Sequence, residues 1–289
     1  MKNKIFTFST ALLIWMSCSS PDPVIFGTTT NVTITGYNGN IMEPFITRNG
    51  DYLLFNNLNA APENTNLHYA LRISDTEFQY QGEFSALSTS YIEGTPSLDI
   101  NGNLYFISTR SYSTTMSTIY RSVFGSINSN PELVSSIFSS QPGVIAFDVE
   151  VSSSGAHLYF SEGTFDPSGN PLTADLIIAE KTTGSTFARL SNSVDILRNI
   201  NTNQLEYAAG ISNDELELFF TRVSTPINSS TIPRIFMASR KSITEAFGMP
   251  IEIKSITGFV EAPSPSTDGK LLYFHRRDGD RYQVYVAKR

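Results

Sequence analysis

The sequence has little cysteine, histidine, tryptophan or charge, and each shortage narrows what the protein can be. Cys18 is the single cysteine, so an internal disulfide is excluded. The three histidines lie far apart and show no metal-ligand spacing, and no metal site or cofactor is predicted. No Gly-x-Ser-x-Gly, His-Glu-x-x-His or phosphate-loop motif occurs. Charged residues make up 16%, which is low for a helical protein and ordinary for a β-rich one.

The first residues differ in kind from the rest of the chain. Lys2 and Lys4 precede an apolar run that ends just before Cys18 and is too short to remain as a spanning helix, as in a signal peptide. The stretch resembles a bacterial lipoprotein signal, in which Cys18 becomes the first mature residue and carries the lipid. An ordinary secretory signal with an incidental cysteine is the alternative. We therefore predict a signal peptide over 1–17 and a lipidated cysteine with a flexible tether over 18–25.

The resemblance to lipoproteins implies a cell-envelope location. Ser19, rather than Asp, follows the cysteine, which in such proteins implies attachment to the outer membrane. Without Lys2 and Lys4 the chain keeps 18 basic against 27 acidic side chains, a net charge of −9. Nucleic acid and anionic membrane surfaces are poor partners for that balance, so membrane attachment is expected through the lipid at Cys18.

One strand–turn–strand phrase occurs five times. It ends at a phenylalanine that recurs every 51 to 60 residues: Phe55, Phe106, Phe160, Phe220 and Phe274. Each copy contains a tight turn. Four of the turns have Gly, and the turn of the fourth copy has Asn213-Asp214, where a slightly longer turn is expected. Further strands follow each copy, so each repeat supplies four strands, A to D. This period and strand number are typical of β-propeller repeats.

The two ends of the chain complement each other. Residues 26–36 read as a D strand with no A, B or C strand before it, and "YQVYVAKR" at the end reads as a C strand without a D. Pairing the two would leave no open sheet edge. We therefore predict an all-β fold over 26–289, a five-bladed β-propeller of four-stranded antiparallel blades closed by the N-terminal and C-terminal strands.

The repeat also has a family resemblance. "PSPSTDGKLLYF" followed by "YQVYVAKR" is similar to the WD-like propeller repeats of bacterial envelope proteins of the TolB type. The resemblance implies the fold and the envelope location, but no activity, because such repeats serve many roles. TolB-type propellers have six blades and a further N-terminal domain, and neither is visible here, so a role in the Tol system is not implied.

The predicted binding face carries carboxylates and variable B–C loops. An acidic residue begins each A strand: Glu43, Glu93, Asp148, Glu206 and Glu261. These could form a ring that holds a cation or an amine, or they could pair with repeated arginines, and the second interpretation is favoured. The arginines concerned are Arg72, Arg110, Arg222 and Arg240. Residues of the B–C loops complete the predicted face: Tyr112, Asp166, His275, Arg276 and Arg277. The loop around Asp166 is reminiscent of a calcium loop, but Pro171 at its sixth position favours a plain turn.

Two functions remain open. The favoured one is a membrane-anchored, non-catalytic envelope lipoprotein whose loop face binds a protein or an extracellular ligand. The alternative is a propeller glycoside hydrolase, or another carbohydrate-active enzyme, that uses carboxylates at the central mouth. Against the enzyme, Trp15 leaves with the signal, so no tryptophan remains to stack on a sugar. The five carboxylates also occupy equivalent repeat positions, whereas catalytic carboxylates need unlike environments.

Overall fold

The structure, a computed structural model, describes residues 26–59, 65–126, 130–167, 169–228 and 230–289. The predicted signal peptide, Cys18 and the tether lie outside the described residues, as does Ser168 of the loop around Asp166. Within the described ranges, no helix is long and apolar enough to cross a membrane.

Strands make up most of the regular structure. The first half of the chain contributes β1 (Thr29–Asn31), β2 (Thr33–Thr35), β3 (Met42–Ile46), β4 (Tyr52–Asn56), β5 (Leu67–Arg72), β6 (Glu77–Glu83), β7 (Glu93–Leu98), β8 (Asn103–Ser108), β9 (Ile119–Val123), β10 (Glu132–Leu133) and β11 (Ile145–Val151). The second half contributes β12 (His157–Phe165), β13 (Pro171–Thr183), β14 (Thr186–Arg189), β15 (Leu205–Ile211), β16 (Glu217–Val223), β17 (Arg234–Ser239), β18 (Ile251–Glu252), β19 (Phe259–Pro265), β20 (Leu271–Asp278) and β21 (Arg281–Lys288). Two single-turn helices are described, α1 (Tyr112–Thr115) and α2 (Ser193–Ile196).

Apart from two short parallel pairings, β13 with β15 and β2 with β6, the strand pairings fall into five antiparallel units of four strands, numbered here along the chain. Units 1 to 4 are β3–β6, β7–β10, β11–β14 and β15–β18, and unit 5 is β19–β21 together with β1. The inner strands form a closed ring, in which β3 contacts β7, β7 contacts β11, β11 contacts β15, β15 contacts β19, and β19 contacts β3. The predicted all-β propeller fold is therefore confirmed.

The repeated phenylalanine explains why the sheets stand face to face. Its five copies are at most 1% exposed: Phe55, Phe106, Phe160, Phe220 and Phe274. They pack between neighbouring units; Phe55 of unit 1, for example, shares a cluster with Tyr273 and Val284 of unit 5. Each second strand is apolar on consecutive positions because both of its faces are covered by a neighbouring unit. Burying these faces against one another drives the ring arrangement.

The two chain ends close the ring, although less of the N-terminal segment joins unit 5 than predicted. Strand β1 pairs antiparallel with β21, with Thr29 opposite Ala287 and Asn31 opposite Tyr285. The chain then continues into β2, which pairs in parallel with β6 of unit 1, with Thr33 opposite Glu77. The predicted single D strand over 26–36 is thus two short strands. They cover the exposed edges of both units that meet at the closure.

The two faces of the ring are built differently. Inner strands begin at the mouth face, which also carries the B–C loops, and end at the turn face, which carries the A–B turns. In unit 4, Glu215 occupies the left-handed turn position that glycine fills elsewhere, with φ 61°. Its N–H donates to the carbonyl of Ser212 at 2.9 Å, as Gly50 donates to Thr47 at 2.7 Å. The longer turn predicted at Asn213-Asp214 is therefore wrong, since the same turn forms one residue later.

A repeated hydrogen bond joins neighbouring units near the mouth. Four inner strands carry a residue with φ between 51° and 55° at a β-bulge: Glu43, Thr95, Ala208 and Ala262. Each donates its N–H to a side chain on the second strand of the preceding unit, namely His275, Asn56, Ser161 and Thr221, respectively. The accepting side chain always follows the repeated phenylalanine. In unit 2 the residue that follows the repeated phenylalanine is Ile107, whose side chain cannot accept a hydrogen bond from unit 3. The inner strand of unit 3 contains no left-handed residue.

Candidate functional site

Two of the five inner-strand carboxylates serve the architecture. Glu93 and Glu206 are fully buried. Glu93 accepts from Arg110 at 3.1 Å, and Glu206 accepts from Arg222 at 2.7 Å. A threonine four residues earlier also donates to each through its N–H and hydroxyl. These ion pairs match the favoured interpretation for two positions only. Arg72 pairs with Asp75 instead, and Arg240 donates to the carbonyl of Glu215 and to the hydroxyl of Tyr159.

The other three carboxylates, Glu43, Asp148 and Glu261, converge at the mouth. Burial raises the pKa of Glu43 well above its ordinary value, and the charges of Asp148 and Glu261 raise it further. Burial also raises the pKa of Asp148 to about 7, against hydrogen bonds from Ala208 and Ser161 that lower it. The expectation of equivalent environments is wrong, because the carboxylates stand at different offsets from the β-bulge. Glu43 is itself the left-handed residue of its bulge, Glu261 comes one residue before that position, and Glu93 and Glu206 come two residues before it.

Glu261 accepts hydrogen bonds from two side chains. The hydroxyl of Tyr207 donates to one carboxylate oxygen and Nε2 of His275 donates to the other at 3.1 Å. Nδ1 of His275 accepts from the N–H of Glu43 at 3.0 Å, so the ring proton lies on Nε2. Burial and the charge of Glu261 raise the pKa of Tyr207 well above its ordinary value, which keeps this hydroxyl a donor. Glu261 is thus oriented from both sides.

Glu43 has the opposite surroundings. Its Oε1 accepts from the side-chain amide of Asn59 at 3.1 Å, while its Oε2 is buried with no hydrogen-bond partner among the described residues. A raised pKa favours the protonated form of a carboxyl group, and the protonated form can donate its proton. The two carboxylates that flank His275 therefore differ, one being an oriented acceptor and the other a potential proton donor.

The channel between the inner strands is narrow and closed at its lower end. Its cavity of about 40 Å³ has room for about three water molecules, and a sugar would have to bind above it, at the mouth. Below the cavity, Arg48 is 4% exposed and donates to Glu150 at 2.6 Å and to the carbonyls of Val151 and Ile211. The site is therefore a pocket that opens on the mouth face.

Aromatic side chains form a wall beside the carboxylates, between units 3 and 4. Phe147 precedes Asp148 in β11, and its ring lies 5.1 Å from that of Phe165 and 6.1 Å from that of Tyr207. Phe165 ends β12, whose hairpin with β13 has the longest strands described. A half-buried aromatic wall beside carboxylates offers the apolar surface on which a sugar ring can stack. The lack of tryptophan does not therefore exclude a glycan ligand.

The remaining residues predicted for the binding face do not reach the central cavity. Tyr112 lies in α1, with its hydroxyl 3.5 Å from the carbonyl of Val144. Asp166 lies in the β12–β13 turn and accepts from the N–H and side chain of Asn170. Arg276 pairs with Asp278 and stacks on Tyr285, and the exposed Arg277 donates to the carbonyl of Gly279. Of the predicted residues, only Glu43, Asp148, Glu261 and His275 come together at the centre.

Sequence reasoning missed Tyr207, Asn59 and Phe147. The sequence pattern marks the acceptors between units rather than these three residues, because the residue after the repeated phenylalanine is polar in four of the five copies although the positions before it are apolar. In unit 5 that residue is His275. Within the described part of the chain, no three His, Cys, Asp or Glu side chains are arranged to hold a metal ion. The cation-ring interpretation thus has no structural support there.

Comparison with known proteins identifies the fold class. No family model matches the chain, and no curated protein matches its sequence. Among solved structures, the chain is similar to a glycoside hydrolase, with a TM-score of 0.60 and 12% identity, over 91% of this chain and 90% of that one. It is also similar to Zg3597, a family 117 glycoside hydrolase from the marine bacterium Zobellia galactanivorans, with a TM-score of 0.55 and 11% identity, over 91% and 90% of the two chains.

TolB from Acinetobacter baumannii is matched over 86% of this chain and 55% of that one, with a TM-score of 0.46 and 15% identity. At such identities a likeness shows the fold alone. The protein is a β-propeller, as the repeats predicted. The TolB-type lipoprotein identity stays a prediction.

Proposed function

We propose that this β-propeller is a carbohydrate-active enzyme that cleaves glycosidic bonds at its central mouth. The observation that carries the proposal is the convergence of three carboxylates in unlike surroundings, Glu43 with a raised pKa, Asp148 with a pKa of about 7, and Glu261 oriented by two donors. Paired carboxyl groups in different protonation states are what glycoside hydrolysis requires. The two glycoside hydrolases of similar fold are consistent with this choice.

The geometry suggests a division of roles. Glu43, with its buried and unpartnered Oε2, is the general acid that protonates the leaving oxygen. Glu261 is the general base or nucleophile, because Tyr207 and His275 fix its orientation. Burial, together with the charges of Asp148 and Glu261, raises the pKa of Glu43 and so favours the protonated form that the acid needs. The aromatic wall of Phe147 and Phe165 would hold the sugar over these groups.

A panel of aryl glycosides and polysaccharides tests the proposal on protein comprising residues 19–289. We expect turnover of at least one substrate, with Glu43→Gln and Glu261→Gln each lowering kcat by about 10²–10⁴-fold. Glu206→Gln is the matched control, because this carboxylate is buried at an inner strand but paired with Arg222. If the protein binds a glycan without cleaving it, and the Glu43 and Glu261 variants bind it equally well, the non-catalytic lipoprotein predicted from the sequence would be favoured instead.

The proposal includes a location in the bacterial envelope. Cys18 would carry a lipid that holds the protein at the outer membrane, and Phe26, the first described residue, lies eight residues further on. Labelling with a fatty acid that is lost on Cys18→Ala, together with release from membranes, would support this anchor. Continued membrane retention of the variant would contradict it.

A further inference from the structure

A second cleft lies on the turn face, opposite the mouth and between units 5 and 1. It measures about 520 Å³, which is within the range of small-ligand sites. Five basic residues line it, a quarter of the 20 in the chain, against two acidic ones. The basic residues are Arg48, Arg72, Lys270, Lys288 and Arg289, and the acidic ones are Asp75 and Asp268. In a chain with a net charge of −7, such a concentration of cations needs an explanation.

Several cationic groups in the cleft keep donors to spare. Lys270 is 73% exposed and has only a 3.5 Å contact with Asp268. Lys288 is 60% exposed and shares Asp75 with Arg72. The Nε of Arg72 is buried and has no hydrogen-bond partner among the described residues, and the same holds for Nε of Arg48, a residue that is 4% exposed. A single carboxylate, Asp75, therefore serves two cations, and buried guanidinium donors remain unused.

The cleft also adjoins the point where the N-terminal segment enters the fold. The N–H of Gly27 donates to the carbonyl of Lys288 at 2.6 Å, and the guanidinium of Arg289 lies 5.1 Å from the ring centre of Phe26. The eight residue-to-residue steps from Cys18 to Phe26 span at most about 28 Å when extended. If Cys18 carries a lipid, the turn face would be held toward the membrane and the carboxylate mouth away from it.

We propose that this cleft binds a phosphate-type oxyanion across the seam where the ring closes. Arg72 and Lys288 approach it from units 1 and 5, and Lys270 adds an exposed cation from the neighbouring turn. An anion held by both units would strengthen their association, because it binds only the closed ring. The overall negative charge disfavours general attraction to anionic surfaces, so recognition would be local to one phosphate group. That group could belong to free phosphate or, given the proposed anchor, to a phospholipid headgroup.

Thermal unfolding of residues 19–289 tests the site itself. Inorganic phosphate at about ten times its Kd should raise Tm by about 2–4 °C over sodium chloride of equal ionic strength. Lys270→Gln with Lys288→Gln should remove most of this rise, whereas Lys254→Gln, an exposed lysine outside the cleft, should keep it. No rise over chloride, or an equal rise in all variants, would overturn the proposal.

A gain-of-affinity variant separates binding from general damage. Asp75→Asn removes the carboxylate that neutralises Arg72 and Lys288 and should tighten phosphate binding by about threefold or more, although it also breaks two ion pairs. Weaker phosphate binding in this variant would contradict the proposed site. Vesicles of phosphatidylglycerol and of phosphatidylcholine then distinguish the sources. If the lipid-free protein sediments with vesicles, and if phosphate and the double lysine substitution each abolish this sedimentation, the ligand is a lipid headgroup. If the protein binds phosphate but does not sediment with vesicles, the ligand is a soluble anion.

Discussion

The N–H of Glu43 donates a 3.0 Å hydrogen bond to Nδ1 of His275 across the boundary between units 1 and 5. The same imidazole donates to the carboxylate of Glu261, so one buried ring holds that carboxylate and the backbone of Glu43. His275→Leu should lower kcat by about 10–100-fold with little change in KM, because Glu261 loses a donor and Glu43 loses its backbone anchor.

Ser264→Ala is the control for this prediction. Its hydroxyl accepts from the N–H of Ile46 at 3.0 Å across the same boundary but does not bond to the carboxylates. Both variants should lose about 1–3 kcal/mol of unfolding free energy in urea titrations. Equal kcat in the two variants would mean that His275 serves only the architecture.

Asp148 makes stability depend on pH. Burial raises its pKa from 3.8 to about 7, so the folded protein binds more protons than the unfolded chain between these values. The stability contributed by protonated Asp148 is therefore lost as pH rises toward and through about 7. Asp148→Asn should flatten part of this decline, so that its Tm relative to wild type increases from pH 4 to pH 8. Asp280→Asn, at an exposed loop carboxylate, should leave the profile unchanged; a parallel profile for Asp148→Asn would contradict the prediction.

The ion pair of Arg48 and Glu150 closes the channel below the cavity. The side chain of Arg48 is 2% exposed and that of Glu150 is 5% exposed, and their atoms are 2.6 Å apart. Arg48→Met or Glu150→Gln alone should cost about 3–5 kcal/mol of unfolding free energy, because each leaves buried polar groups unpaired. The double variant should cost clearly less than the two single losses added together. Additive losses in urea titrations would show that the two side chains do not interact.

Closure of the ring depends on the N-terminal segment. Deleting residues 24–36 removes β1 and β2 and leaves the edges of β21 and β6 unpaired. Every unit is packed between two others, so the loss of these strands should destabilise the whole ring. Tm should fall by at least about 10 °C, or cooperative unfolding should disappear. Removal of residues 1–23 alone should leave Tm unchanged. A calorimetric transition like that of wild type in the deletion variant would refute the closure.

Architecture was predictable because it depends on a pattern repeated five times. The turn residues, the paired strands and the unpaired D and C strands at the ends were each visible in the letters alone. Phe55 and its counterparts are buried because consecutive apolar residues require two covered faces. The position of Glu215 was missed because Asn and Asp are better suited than Glu to left-handed turns, and here contacts of its carboxylate with His157 and Tyr159 favour Glu at that position.

By itself, the sequence determined that this chain forms a ring of β-sheets with acidic residues at the start of its inner strands. Only the tertiary structure decided which of them act together. Glu93 and Glu206 meet arginines of their own units, whereas Glu43, Asp148 and Glu261 point to a common centre. The physical reason is that the carboxylates stand at different offsets from the β-bulge, which re-aims the side chains next to it. Hydrogen bonds to the neighbouring unit hold the left-handed residue of each such bulge. Those contacts join residues far apart in the chain, such as Glu43 and His275, and no local pattern specifies them.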